Sequence, residues 1–337
     1  MARIVPQSCR WTLTILYNKI YWVFRALITK VTGQGWPPGH FYSPIPDVRE
    51  LAARKGHLFN KDVELGPSIP LDEAGQLSLL NELARCFPEF DWQDSPTEGN
   101  LYYLGNGLFT GCDALVLYAM LRHFKPARVI EVGSGFSSAL MLDTSRRFLQ
   151  DKTHFTFIEP FSARLEVLLD GRRRDRCEIV KKRVQDVPLE RFEALERNDV
   201  LFIDSSHVCK TGSDLNFLMF DVLPRISPGV IVHFHDILWP FEYPERWVLR
   251  LRWAWNEAYL LRAFLQYNGA FRILLFNGFL THRFPAAFAP QQTRMRMHAD
   301  SSLWLQKTAQ PLPYPESRAP RPAQEPPGGG VTFKESA

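Results

Sequence analysis

A chain of 337 residues with 45% hydrophobic and 13% aromatic content can bury one large core with appendages, which excludes a wholly disordered or fibrous protein. Its 40 basic and 36 acidic residues leave a net charge of +4, too even a balance for nucleic acid to be the expected partner. Five cysteines, at 9, 86, 112, 177 and 209, are odd in number and form no CxxC pair, so they read as free thiols of a reducing cytosol and not as a zinc cluster or disulfide framework.

Residues 11–31, WTLTILYNKIYWVFRALITKV, are apolar but interrupted by Asn18, Lys19 and Arg25, and no small-residue cleavage site follows. Neither a signal peptide nor a spanning helix is expected. Thr14, Asn18, Arg25 and Thr29 fall on one helical stripe, leaving a broad apolar face with Lys19 and Lys30 near its border. The main domain, a second subunit in a homo-oligomer, or a membrane interface in peripheral contact would each cover that face. Residues 36–47 form a proline-rich linker, so 1–70 reads as an appended amphipathic helix and linker.

From 71 to 308 the pattern is regular and reads as one domain. A helix over 73–86 precedes a glycine-rich stretch at 100–111, and a second helix over 113–124 leads into a strand at 129–132. A helix from Ser137 to Phe148 and a strand closed by Glu159 come next. Further helices are expected at 162–169, 188–196, 212–223 and 245–266, with strands at 177–183, 199–204, 229–235, 271–277 and 302–306. Arg172, Arg173, Arg174 and Arg176 read as a solvated loop. Strands apolar throughout and alternating with helices predict an α/β, Rossmann-like, doubly wound sheet, mostly parallel and covered by helices on both faces. The tail over 309–337 is rich in proline and charge and buries too little to order itself.

The segment RVIEVGSGFSS, beginning at Arg128, carries the first chemistry. Gly133 and Gly135 permit a tight turn after the strand, and the N–H groups of the helix that follows face whatever binds there. Glu159 lies 24 residues past Gly135, where a carboxylate at the second strand's tip accepts hydrogen bonds from ribose hydroxyls. A dinucleotide fingerprint wants a third glycine where this chain has Ser138, so a nicotinamide cofactor is the weaker choice. Glu131, just before the turn, suits a ligand with a cationic amino-acid part, such as S-adenosylmethionine.

Other strand tips are polar too. Asp204, Ser205, Ser206 and His207 follow the fourth strand, and His233, His235 and Asp236 close the fifth. Asp204, His235 and Asp236 end adjacent strands and can converge on a divalent metal, magnesium or manganese. His207 is placed to take a proton from a hydroxyl. Asp186, after the third strand, is a candidate for the adenine amino group. The long segment from Phe241 to Asn268, with Asn256 and Glu257 inside it, can wall an acceptor pocket.

These motifs, EVGSGFSS at 131–138, Asp-Ser-Ser-His at 204–207, HDI at 235–237 and PFEYP at 240–244, resemble in order and content the class I S-adenosylmethionine-dependent methyltransferases, and are similar to catechol-type and macrocin-type O-methyltransferases. The resemblance runs from about Asn100 to Lys307. It implies seven strands, the last two an antiparallel, hairpin-like pair. It implies Glu131, Gly133, Ser134, Gly135 and Ser137 around the methionine part, Glu159 on the ribose and Asp186 near the adenine. Asp204 falls on a metal-binding aspartate, His235 and Asp236 on an Asp-Asn pair, and His207 on the catalytic lysine base. The implied reaction is O-methylation of a small-molecule hydroxyl. An oxidoreductase on the same sheet, and a membrane-surface scaffold with a vestigial pocket, are the competing readings.

Overall fold

The computed structural model describes residues 35–66, 68–169, 171, 174–288 and 300–308, together with positions 23 and 33. Short runs of β-branched and aromatic residues form seven strands: β1 (Arg128–Val132), β2 (His154–Ile158), β3 (Cys177–Val180), β4 (Val200–Ile203), β5 (Ile231–Phe234), β6 (Phe271–Phe276) and β7 (Leu303–Lys307). They make one sheet in the order β3-β2-β1-β4-β5-β7-β6. β1 to β5 are parallel, and β7 runs antiparallel between β5 and β6. β4 and β5 are buried along their whole length, as strands covered on both faces must be. The strand order reverses between β1 and β4, which opens a crevice at their carboxyl ends.

The principal helices are α1 (Glu73–Leu83), α2 (Gly111–Phe124), α3 (Phe136–Phe148), α4 (Ala163–Leu169), α5 (Glu257–Leu265) and α6 (Asn277–Arg283). α2 is apolar nearly all round and buried from Gly111 to Leu121. Its one buried acid, Asp113, accepts hydrogen bonds from the Asn277 amide (2.7 Å), the Ser301 N–H and hydroxyl and the Ser302 N–H (3.0 Å), tying α2 to the start of β7. On α3, buried Asp143 accepts the N–H groups of Leu101 and Tyr102, each at 2.8 Å, and the Trp92 indole N–H at 3.4 Å. This carboxylate pins the stretch before α2 to α3. Asp143→Ala strands those donors and is expected to cost about 2–3 kcal/mol, read as a lowered urea midpoint with unchanged slope.

The proline-rich stretch is followed by two short helices, Val48–Ala53 and Lys55–Leu58. Residues 61–69 then lie against the domain, where the Trp239 indole N–H donates to the Lys61 carbonyl and the Tyr267 N–H to the Ser68 carbonyl, both at 3.0 Å. The stretch 11–31, apart from Val23, and the tail from 309 lie outside the described residues. Cys86, Cys112 and Cys209 are free thiols.

The expectation of one helix over 245–266 is corrected. The chain makes a single π turn at Arg246–Arg250, leaves the helical path with Arg252 at φ +57°, and starts α5 only at Glu257. The periodicity of 245–266 is continuous in sequence, but between the two helical pieces Trp253 stacks on Trp255 and the Asn256 and Glu257 N–H groups bond to the His207 carbonyl. The last two strands form the expected antiparallel pair, though not through a tight turn. α6 and a longer connection separate β6 from β7, and β7 pairs with both neighbours. Among the described residues no helix is long and apolar enough to cross a membrane.

Candidate active site

Gly133 leaves β1 at φ +81°, and its N–H donates to the Ile158 carbonyl of β2 at 3.0 Å. A Cβ here would stand 1.8 Å from the backbone carbonyl oxygen of Asp204, so only glycine lets the turns after β1 and β4 meet. At Gly135 a Cβ would meet only the Arg164 side chain, at 3.7 Å. Below the turn, Glu131 is fully buried and accepts the Ser137 hydroxyl at 2.5 Å and the Ser138 hydroxyl; the Ser138 oxygen in turn accepts the Gly135 N–H at 3.0 Å. Ser138 thus does by hydrogen bonding what a third glycine does by small size. It locks the first turn of α3 to β1.

Burial pushes the Glu131 carboxyl up to about 8, against the two serine hydroxyls that favour its charged form. Its folded value lies above the ordinary one near 4.5, so its contribution to stability is complete below that value and is lost as pH rises through about 8. Urea midpoints of the wild type should therefore fall between about pH 5 and 8, whereas those of Glu131→Gln, which has no proton to lose, should fall less.

The crevice holds a cavity of about 360 Å³ lined by Gly133, Glu159, Val184, Gln185, Asp204 and Ser205, among others. That volume suits a small ligand. Glu159 is half-buried and accepts the N–H groups of Ser134 (3.3 Å) and Phe161 (2.7 Å), which aims its carboxylate at the crevice. The Ser134 and Ser205 hydroxyls are buried without a hydrogen-bond partner, two orphaned groups that a polar ligand would satisfy.

His207 stands at the other end of Asp204. It is non-glycine backbone at φ +58°, a costly conformation that neighbouring contacts enforce. The Asn256 and Glu257 N–H groups donate to its carbonyl at 3.1 and 3.3 Å, and the Asn256 side chain brackets Cys209 through its N–H (2.6 Å) and carbonyl (3.1 Å). Trp255 packs on the imidazole at 4.3 Å between centroids, and the buried Glu257 carboxylate holds Nδ1 at 2.8 Å. Nε2 is thereby turned towards Asp204 Oδ1 (3.4 Å) and Asp236 Oδ2 (3.7 Å).

Burial opposes a charged imidazole here, yet Asp204 and Glu257 push His207 up to about 10. Enclosure opposes the charge on Asp204, but the His235 and His207 imidazoles hold its carboxyl below the ordinary range. Burial raises Asp236 and Glu257.

Asp204, His207 and Asp236 offer ligand atoms within 4.8 Å of one another, a donor set that fits a divalent cation. His235, the other expected ligand, lies beside this group: it shares a strand face with His233 and packs on Phe109 at 5.1 Å, with Nε2 3.8 Å from Asp236, whereas Asp236 turns off the strand at φ +57° and faces His207. Asp186 lies at the rim of the crevice. Val184 and Gln185 line the cavity, while the Asp186 carboxylate pairs outside with Arg183 Nε at 3.2 Å. Glu257 was legible only as a carboxylate in an aromatic stretch, and its pairing with His207 spans 50 residues.

A family model described as a methyltransferase domain matches residues 130–237, from β1 to the turn after β5. An uncharacterised protein of Archaeoglobus fulgidus is 37% identical over 182 residues, covering 51% of this chain and 78% of that protein. Among solved structures, the SAH-bound methyltransferase PaMTH1 of Podospora anserina is 14% identical, with coverage of 79% of this chain and 99% of that one and a TM-score of 0.39. The O-methyltransferase TomG of Streptomyces achromogenes, in complex with SAM, is also 14% identical, with coverage of 72% and 92% and a TM-score of 0.38. The domain match takes in the glycine turn, the Glu159 tip and the Asp204 loop, and so decides between the cofactors that the turn alone leaves open: the chain belongs to the class I S-adenosylmethionine-dependent methyltransferases.

Proposed function

We propose that the protein transfers a methyl group from S-adenosylmethionine to the hydroxyl oxygen of a small molecule, with His207 receiving the hydroxyl proton in its neutral form; because Asp204 and Glu257 push the imidazole up to about 10, turnover should rise with pH towards that value. The observation that carries this reading is the Glu257–His207 pair, which fixes Nδ1 at 2.8 Å and leaves Nε2 beside Asp204 at the mouth of the cofactor cavity. S-adenosylmethionine supplies a methyl group already activated on a sulfonium. The acceptor oxygen forms a bond to that carbon as the carbon–sulfur bond breaks, and S-adenosylhomocysteine leaves as a neutral thioether. The residues then have three tasks: binding the donor, aligning the acceptor and moving one proton. Glu159, at the cavity wall, would take the ribose hydroxyls, Val184 and Gln185 the adenine, and the unpartnered Ser205 hydroxyl a polar group of the donor. Alignment in an enclosed site is worth about 7–11 kcal/mol, and proton removal a further 10²–10⁴-fold at about that order.

A second reading is favoured by the Asp204–His207–Asp236 donor set. These side chains would hold a divalent cation, which when bound lowers the pKa of an acceptor hydroxyl. His207 Nε2 has one lone pair, so the residue is either a cation ligand or the proton acceptor. Calorimetric titration with S-adenosylhomocysteine tests the donor site, and turnover on a panel of phenols and sugar hydroxyls, with chelator, magnesium or manganese, tests the rest. Donor binding with chelator-resistant turnover supports the histidine base. Turnover lost to chelator and restored by metal supports the cation. Absence of S-adenosylhomocysteine binding overturns both.

A further inference from the structure

Away from the cofactor crevice, residues 36–52 and 246–254 enclose a groove of about 660 Å³ walled by Pro38, Ile45, Pro46, Val48, Val248 and Trp253. The loop over 36–47 is internally braced. The Gly39 N–H donates to the Ile45 carbonyl at 2.9 Å, and Trp36 stacks on His40 at 4.2 Å. Its tip nevertheless leaves Phe41 80% and Tyr42 62% exposed, and across the groove Leu251 and Trp253 are 40% and 39% exposed. An apolar groove flanked by four exposed large side chains marks a surface built for contact.

The charges around it have one sign to spare. Six cations, Arg49, Arg54, Lys55, Arg246, Arg250 and Arg252, stand against three acids, Asp47, Glu50 and Glu245. All three acids are engaged: Asp47 accepts the Arg49 N–H at 2.8 Å, Glu50 pairs with Arg54 at 3.5 Å and Glu245 with Lys55 at 3.4 Å. Arg49, Arg246, Arg250 and Arg252 are exposed, and among the described residues none has an ion-pair partner. Arginine matches phosphate oxygens two at a time, and aromatic side chains settle at the level of lipid headgroups. The stretch 11–31 precedes the loop that lines this groove by a few residues, and its sequence mixes apolar residues with Lys19, Arg25 and Lys30.

We propose that this face docks on an anionic lipid bilayer, with Phe41, Tyr42 and Trp253 at the headgroup level, the unpaired arginines on lipid phosphates and the groove taking part of an acyl chain. The inference is independent of the acceptor and of the proton route. The test is co-sedimentation of the full chain with phosphatidylcholine vesicles with and without phosphatidylglycerol. Wild type should pellet with the anionic vesicles only, and less so as salt is raised. The triple variant Arg49→Gln, Arg250→Gln, Arg252→Gln should lose about 10²-fold in partitioning, at about 5-fold per charge removed. Phe41→Ser with Tyr42→Ser should also weaken binding, while thermal midpoint and S-adenosylhomocysteine affinity stay at wild-type values in both variants and so report intact folding. Wild type that ignores anionic vesicles, or an arginine variant that pellets as wild type does, overturns the proposal. So does a wild-type dimer that the aromatic variant converts to monomer without changing vesicle binding, which would put a second copy of the chain on this face.

Discussion

His207→Gln is expected to lower turnover by about 10²–10⁴-fold while leaving S-adenosylhomocysteine affinity within about 2-fold of wild type. Glutamine keeps a polar group near the Trp255 and Glu257 contacts but offers no basic nitrogen to a hydroxyl. The donor cavity is lined from the Gly133 and Asp204 side, so binding and chemistry should separate. Glu257→Gln extends the measurement. Glu257 holds Nδ1 at 2.8 Å and fixes which nitrogen faces Asp204, so its loss should reduce turnover less than loss of the imidazole itself, again with donor affinity unchanged. An activity of His207→Gln equal to wild type would remove the histidine from the reaction. A variant in which both affinity and turnover collapse would assign His207 to the architecture of the loop, which its φ of +58° makes a real competitor. Thermal denaturation of the same samples distinguishes that outcome from a loss of chemistry.

Gly133→Ala is expected to abolish S-adenosylhomocysteine binding in calorimetry and to destabilise the fold by about 2–5 kcal/mol, because the new Cβ falls 1.8 Å from the Asp204 carbonyl oxygen and the residue needs φ +81°. The obstacle is backbone, so no side-chain rotation relieves it, and the turns after β1 and β4 must separate. Gly135→Ala is the internal control. Its Cβ meets only the Arg164 side chain, at 3.7 Å, and the stability cost should be far smaller. Equal stability losses for the two alanine variants would mean that the crevice tolerates separation of the two strands.

Much of this site is written in local sequence. The glycine turn, the acid at the second strand's tip and the Asp-Ser-Ser-His loop are each short segments whose geometry depends on neighbours within a few positions, and all three sit at the switch point that the alternation of strands and helices predicts. Even Ser138, read as a missing glycine, acts within seven residues of Glu131. The directions of the His235 and Asp186 side chains are not legible in this way. Both are polar residues beside a strand end, but a strand's period of two sends His235 towards Phe109, and an ion pair three residues long holds Asp186 outside the cavity.

The long helix over 245–266 fails for a related reason. Its hydrophobic periodicity is real, but Asn256 and Glu257 have partners on the loop at 207–209, and reaching them breaks the helix before α5.

By itself the sequence determined the sheet, the cofactor crevice and the order of the chemical groups along the strand tips, because strand period, turn chemistry and glycine requirements are local. Only the tertiary structure decided that His207 joins Asp204 and Asp236, that Glu257 orients it, and that a groove bordered by unpaired arginines lies on the face formed by residues 36–52 and 246–254. Those decisions depend on side chains brought together across about 30 to 200 residues, where pairing is settled by competition among long-range contacts that no local pattern encodes.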